Sequence, residues 1–255
     1  MTALPSPYDA PELYDLVLSH FDDDLRFWFE EARRGGGPVL DVACGTGRVM
    51  LSLLDHGVDV DGVDLSGPML ERLRAKATSK GMAVRAALAD MRDFTMPRRY
   101  ARVFITFNGF AHCETVEDQL RCLRCCREHL EPGGALVVHM SYPAASYWVE
   151  PESERVLEAE VAHPASGHPV RMYDTRTKDP VAQRQHSIVE IEELDGAGGV
   201  ARSHRFETDQ RWVYRFEFEL LLRCAGFTRW QVQAGWEPKP LTSDQDPMLA
   251  FGWRD

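Results

Sequence analysis

A chain of 255 residues, 44% hydrophobic and 27% charged, is long enough to bury a sizeable core in one large domain, or in one domain carrying an insertion. Its formal charge of −11 argues against a nucleic-acid partner, because neutralising phosphates needs a basic face, and points to small-molecule or peptide substrates. Six cysteines without regular spacing fit a reducing compartment better than a disulfide framework.

The opening Met1-Thr2-Ala3-Leu4-Pro5 has no basic region and no apolar core, and no later run approaches a membrane span, so we expect a cytoplasmic protein without a membrane partner. Residues 8–34 place Tyr8, Leu13, Tyr14, Leu16, Val17, Phe21, Leu25, Phe27, Trp28 and Phe29 among acids, which predicts an amphipathic helix ended by Gly35-Gly36-Gly37. From Pro38 an apolar strand runs through Asp41 into a small-residue turn, Ala43 to Gly47, and then into helix formers. Glycines one residue apart let the backbone approach a ligand, and the helix that follows offers free N–H groups and a positive dipole end, so a nucleotide-like ligand is expected there. A nicotinamide or flavin fingerprint would want a third small residue where Met50 stands. Asp41 would likewise repel a pyrophosphate but attract a cationic amino group.

The crossover helix Arg48–His56 closes at Gly57, and residues 58–64 alternate as a second strand ending on Asp64. An acid about twenty residues beyond the glycine turn is where a doubly wound fold sets a carboxylate against ribose hydroxyls. Ser66 caps the next helix, with Pro68 in its first turn. Residues 84–89 read as the third strand, followed by Asp90 and Met91, and residues 100–107 as the fourth. Ligands in open α/β sheets sit beyond the carboxyl ends of the strands, so Asn108 to His112 should line the reaction centre. His112 alone there has an unperturbed pKa suited to taking a proton near neutrality.

A helix over 117–130 carries Cys122, Cys125 and Cys126, read as core or surface residues because zinc wants four ligands and no second paired knuckle appears. Glu131-Pro132-Gly133-Gly134 should end it, and residues 135–140 form the fifth strand. The stretch 144–212 breaks the alternation: 170–178, 183–194 and 200–214 read as β-strands, with a hairpin connection at 195–199. A helix over 215–225, a sixth strand over 227–232, a Pro-rich loop over 236–247 and a seventh strand over 247–253 complete the chain.

Four successive motifs resemble those of class I S-adenosylmethionine (SAM) methyltransferases. Asp41-Val42-Ala43-Cys44-Gly45-Thr46-Gly47 is similar to D/E-x-G-x-G-x-G with Ala43 for the first glycine, and Asp64 to Leu70 to D-x-S-x-x-M-L. Asn108 to His112 resembles N-x-F-x-H, and Leu130 to Val138 resembles L-x-P-G-G-x-L-V-V; Ala225-Gly226-Phe227 matches the habitual A-G-F helix ending. The inserted strands resemble the substrate cap of sugar-amine N,N-dimethyltransferases of macrolide pathways and of related peptide and phosphonate methyltransferases. The resemblance implies an α/β fold with a doubly wound Rossmann-like seven-stranded sheet, its last strand antiparallel, and an inserted antiparallel β cap. The implied organisation is a helical lid over 1–37, a core over 38–143 and 213–255, and a cap over 144–212.

It also implies SAM as cofactor, held by Tyr14, Asp41, Ala43, Gly45, Thr46, Gly47, Asp64, Leu65, Met69, Asp90, Met91, Phe107 and Asn108, with Asp90 and the Met91 N–H on adenine and Tyr14, or Tyr8, closing over the ligand. SAM brings an activated methyl group, so the chain must align an acceptor nitrogen or oxygen, exclude water and supply a base, for which His112 and Tyr14 are the candidates. No metal site is expected. The partner is a small-molecule acceptor, with peptide-terminus methylation as an alternative, and the reading is compatible with a homodimer. Two other classes compete: a SAM-binding regulatory subunit without turnover, and an NAD-dependent oxidoreductase, which Met50 and Asp41 disfavour.

Overall fold

The computed structural model describes residues 3–18, 21–149 and 154–255. Within them the expected N-terminal helix is broken. A 3-10 turn, Pro7–Asp9, precedes α1 (Pro11–Val17), and α2 (Leu25–Gly35) starts only after Asp22, Asp23 and Asp24. Ser6 and Asp9 cap the turn reciprocally, Pro11 sets a new helix start, and aspartates favour caps and turns over helix interiors.

Next come β1 (Val39–Val42), α3 (Arg48–Asp55), β2 (Val60–Asp64), α4 (Gly67–Ser79), β3 (Arg85–Leu88), β4 (Tyr100–Ile105), α5 (Val116–Glu128), β5 (Leu130–Met140) and the short α6 (Ala145–Val149). A separate antiparallel sheet follows, made of β6 (Arg155–Ala162), β7 (Pro169–Asp179), β8 (Arg184–Leu194) and β9 (Val200–Arg211). The chain then returns through α7 (Arg215–Cys224), β10 (Arg229–Ala234), β11 (Lys239–Pro240) and β12 (Met248–Trp253).

The main sheet has the order β11-β10-β12-β5-β4-β1-β2-β3, with β12 antiparallel to both of its neighbours. This is the expected doubly wound arrangement, with one correction: the two-residue β11 makes eight strands of seven. Trp236 draws that loop against the sheet by packing on Phe27, Trp28 and His139. Strands β1, β4 and most of β5 are buried on both faces, as crossover helices require. Leu40, Val103, Val138 and Phe218 fill one face, and Val39, Trp28, Met50 and Phe104 the other. Chain order reverses between β1 and β4, which opens a crevice at their carboxyl ends.

Two further corrections concern the strands. β5 begins at Leu130 and runs through Pro132-Gly133-Gly134, with a register shift opposite Tyr100 and Arg102. β6 lay outside the expected set, because as an edge strand its side chains are mostly exposed and give no apolar alternation.

Gly47 and Gly45 both have positive φ, but only Gly47 is also packed: a Cβ there would lie 2.2 Å from Leu73 Cδ1, whereas beside Gly45 nothing lies within 4 Å. Gly47→Ala should therefore destabilise the fold by about 2–4 kcal/mol, combining left-handed strain with overpacking, and Gly45→Ala by only about 1–2. Urea denaturation of the two variants checks this, and equal midpoints would contradict it.

Candidate active site

A cavity of 970 Å³ lies at the carboxyl ends of β1, β2 and β4, bounded by the N-terminal segment and by Glu207, Thr208 and Asp209 of β9. Tyr14, Asp41, Ala43, Gly45, Thr46, Asp64, Leu65, Met69, Asp90, Met91, Phe107 and His112 all line it. Two expected residues do not. Gly47 sits behind the turn against Leu73 and Leu51, and Asn108 lines a neighbouring cavity, its amide hydrogen-bonded to Ser141.

Asp41, the next-to-last residue of β1, has 1% of its surface exposed, and its Oδ1 has no partner among the described residues. Burial, against the pull of the Arg48 cation and with the charge of Asp64 adding to it, pushes its carboxyl up to about 7. Asp64 is held differently: Oδ2 accepts the Gly45 N–H at 2.7 Å and Oδ1 the Ser66 N–H at 2.8 Å. Burial raises its pKa and those backbone donors oppose the rise. Asp90 accepts the Arg92 N–H at 2.8 Å and Arg92 Nε at 2.9 Å, which keeps it ionised below the usual carboxylate range. The Thr46 hydroxyl donates to Asp15 Oδ1 at 2.5 Å.

His112 stands at the end of a 3-10 turn, Gly109–His112, just beyond β4. Its Nε2 lies 2.7 Å from the Tyr8 hydroxyl, with the two rings edge to face. Burial lowers its pKa, partly offset by a hydrogen bond to the Asp209 backbone, so the imidazole is neutral at cellular pH. Tyr14 packs on Tyr8 with ring centroids 5.8 Å apart, and burial pushes its phenol up to about 12.

Three residues were missed in the sequence. Arg48 grips both oxygens of Asp24, donates to the Phe21 carbonyl at 3.1 Å and covers the Phe107 ring. Its signal was a cation in the first turn of a helix, where the dipole disfavours it. Tyr8 was considered only as a lid, since its partner is far away in sequence. Asp15 joins Thr46 to Arg72 and Lys76 of α4 at 2.9 and 3.0 Å; the Tyr14-Asp15 pair resembles a lid segment, but that resemblance gives the role to the tyrosine.

A doubly wound sheet with an acid at the end of each of its first strands defines a Rossmann-like protein that binds a nucleoside bearing a cationic group. A family described as "Methyltransferase domain" matches residues 39–134. The cypemycin N-terminal methyltransferase of a Streptomyces species is 30% identical over 250 residues, 96% of each chain. A dTDP-3-amino-3,4,6-trideoxy-alpha-D-glucopyranose N,N-dimethyltransferase of Streptomyces venezuelae is 34% identical over 130 residues, covering 51% of this chain and 48% of its own. Among solved structures, the CcbJ methyltransferase of Streptomyces caelestis superposes with a TM-score of 0.76 at 27% identity, over 98% of both chains. The chain belongs to the SAM-dependent methyltransferases; it is an enzyme, and SAM is its cofactor.

Asp41 generates a prediction with opposite effects on stability and binding. The folded chain holds a proton on Asp41 that the unfolded chain releases near pH 4, so stability falls as pH rises from about 4 to about 7. Asp41→Asn should raise the melting temperature of the ligand-free protein at pH 8 yet weaken S-adenosylhomocysteine (SAH) binding at least tenfold. In the wild type, SAH affinity should be flat above about pH 7 and weaken by up to tenfold per unit below it, because the proton must leave before an ammonium group can pair. Calorimetry across this range checks both; a wild-type curve flat to pH 5 would show that Asp41 does not meet the ligand's ammonium.

Proposed function

We propose that the chain methylates the nitrogen of an amine, and that the hydrogen bond between Tyr8 and His112 is the proton path that makes this possible. SAM, when bound, supplies a methyl group already activated on a sulfonium. The residues present fit it: the orphan Oδ1 of Asp41 suits its ammonium, Asp64 the ribose hydroxyls, and Asp90 with the Met91 N–H the adenine. Tyr8 and Tyr14, together with the ring of Phe107, exclude water from this pocket.

An amine acceptor arrives protonated and is drawn by Glu114, Glu207 and Asp209, which line the His112 end of the cavity. It cannot attack until it loses a proton. In our reading the Asp209 backbone takes the other ring N–H of His112, so Nε2 accepts from Tyr8; the phenol oxygen receives the amine proton while its own passes to His112. Tyr8 acts as a relay because burial lifts its pKa far above the usual phenol value, which forbids a standing phenolate. Tyr14 serves as a wall. The full-length relative that methylates a peptide N terminus and the aminosugar dimethyltransferase both support a nitrogen acceptor from natural-product chemistry.

Incubation with SAM and a panel of amines and matching alcohols, read by mass spectrometry, tests this, and methyl gain confined to the alcohols would overturn it. With the best amine, His112→Ala and Tyr8→Phe should each lower kcat by about 10²-fold or more with SAH affinity within threefold, as expected for loss of a proton transfer. The acidic limb of the wild-type kcat profile should lie below the ordinary histidine value and vanish in His112→Ala. Superimposable pH profiles would remove the pair from the mechanism.

A further inference from the structure

Beside the cofactor cavity lies a second one of 770 Å³, enclosed between the β6–β9 sheet, the ends of β4 and β5, and the segment between β11 and β12. The two share Phe21, Asp22, Arg48, Phe107 and Thr208 as a common wall. The inner face of the cap sheet is divided. Toward one end Val170, Ile191 and Phe206 pack on Val17 of α1. Toward the other, at inward positions where a sheet covering a core would carry apolar side chains, stand Asp174, Arg176, Gln185, Ser187, Thr208 and Gln210.

These polar residues form an ordered chain. Trp212 Nε1 donates to Gln185 Oε1 at 3.3 Å, Gln185 Nε2 to the Ser187 hydroxyl at 2.5 Å, and that hydroxyl to Asp174 Oδ2 at 3.2 Å. Arg176 donates to the same oxygen at 2.8 Å and to Glu158 at 2.6 Å. The chain stops there: Asp174 is 9% exposed, and its Oδ1 is buried without a partner. Across the cavity His139 Nδ1 is likewise buried and unpartnered. The cations on these walls are already matched, Arg48 by Asp24 and Arg176 by two acids. Asp22, Asp23 and Asp244 pair with no cation among the described residues and leave the cavity negative.

Resting on the amine reading above, we infer that this second cavity binds the body of the acceptor, that Asp174 Oδ1 and the surrounding carboxylates select a cationic, phosphate-free amino compound, and that nucleoside-diphosphate sugars are rejected. A diphosphate here would face a net negative wall with every arginine occupied. A second ammonium or a ring hydroxyl would complete Asp174.

Five probes test this with the intact chain and SAM: glucosamine, a dTDP-linked aminosugar, spermidine, tyramine and a tetra-alanine amide. For the acceptor with the highest kcat/KM, two variants are compared: Asp174→Asn, and Ser146→Trp, which narrows the cavity from an exposed position on α6 and keeps the test available if the first variant folds poorly. We expect a phosphate-free amine to be preferred, and each variant to raise KM at least tenfold with kcat within threefold and SAH affinity unchanged. Preference for the dTDP-linked probe, or an unchanged KM in both variants, would overturn this assignment while the methyl gain left the amine reading intact. Methyl gain on none of the probes, with SAH still bound, would overturn the amine reading and this inference with it.

Discussion

The unpaired carboxylate oxygen sealed at the end of β1 is the constraint around which the site is built. An unmet buried acceptor costs about 1–3 kcal/mol, more when charged, and the Arg48 cation and the Met50 backbone offset burial of this carboxyl only in part. The backbone beside it is strained as well. Ala43, Phe107 and Asn108, none of them glycine, hold φ values of 59°, 50° and 62°, each costing roughly 1–2 kcal/mol in an L-residue. Ala43 and Phe107 line the cofactor cavity and Asn108 its neighbour, so three of the four such residues among those described, Gln183 between β7 and β8 being the other, lie at the strand ends where ligands meet the sheet. The packed interior elsewhere must carry this deficit. Met50 shows how tightly it does so: its sulfur fills the space over Gly62, where a Cβ would come within 2.9 Å. The side chain that spoiled a dinucleotide fingerprint in the sequence is a packing residue between α3 and β2.

What could be read from the sequence divides along the same physical line. Strands β1, β4 and most of β5 were legible because burial on both faces writes a continuous apolar run, and Asp41, Asp64 and Asp90 stood out because each interrupts or follows a run near a strand end. The N-terminal helix was misread since its apolar residues suit a helix from 8 to 34, while the breaks depend on caps and on three aspartates of poor propensity. Edge strand β6 was invisible because it buries little. Tyr8 and His112 are 104 residues apart, and no local periodicity reports a contact of that separation. Asp174 belongs to the same class: one acid among many in a charged strand, distinguished only by which partners it lacks.

The N-terminal segment ties these parts into one device. Asp15 clamps α1 to the glycine turn and to α4, and the Ser66 hydroxyl donates to the Tyr8 carbonyl at 3.0 Å, so the segment is fastened to the cofactor side. It is fastened equally to the cap, through Leu13, Leu16 and Val17 against the apolar end of that sheet and through the Glu207 N–H to the Pro5 carbonyl at 3.0 Å. Lifting α1 far enough to free the first cavity therefore breaks ion pairs on one side and apolar contacts on the other. Such a motion also withdraws Tyr8 from His112, since the tyrosine travels with the segment while the histidine stays with β4. The Tyr8–His112 hydrogen bond and the enclosure of the cofactor cavity thus form and break together. In the mechanism proposed above, a closed segment would give a dry pocket with its base assembled and an open one would leave His112 without its relay, which would couple deprotonation of an acceptor to exclusion of water.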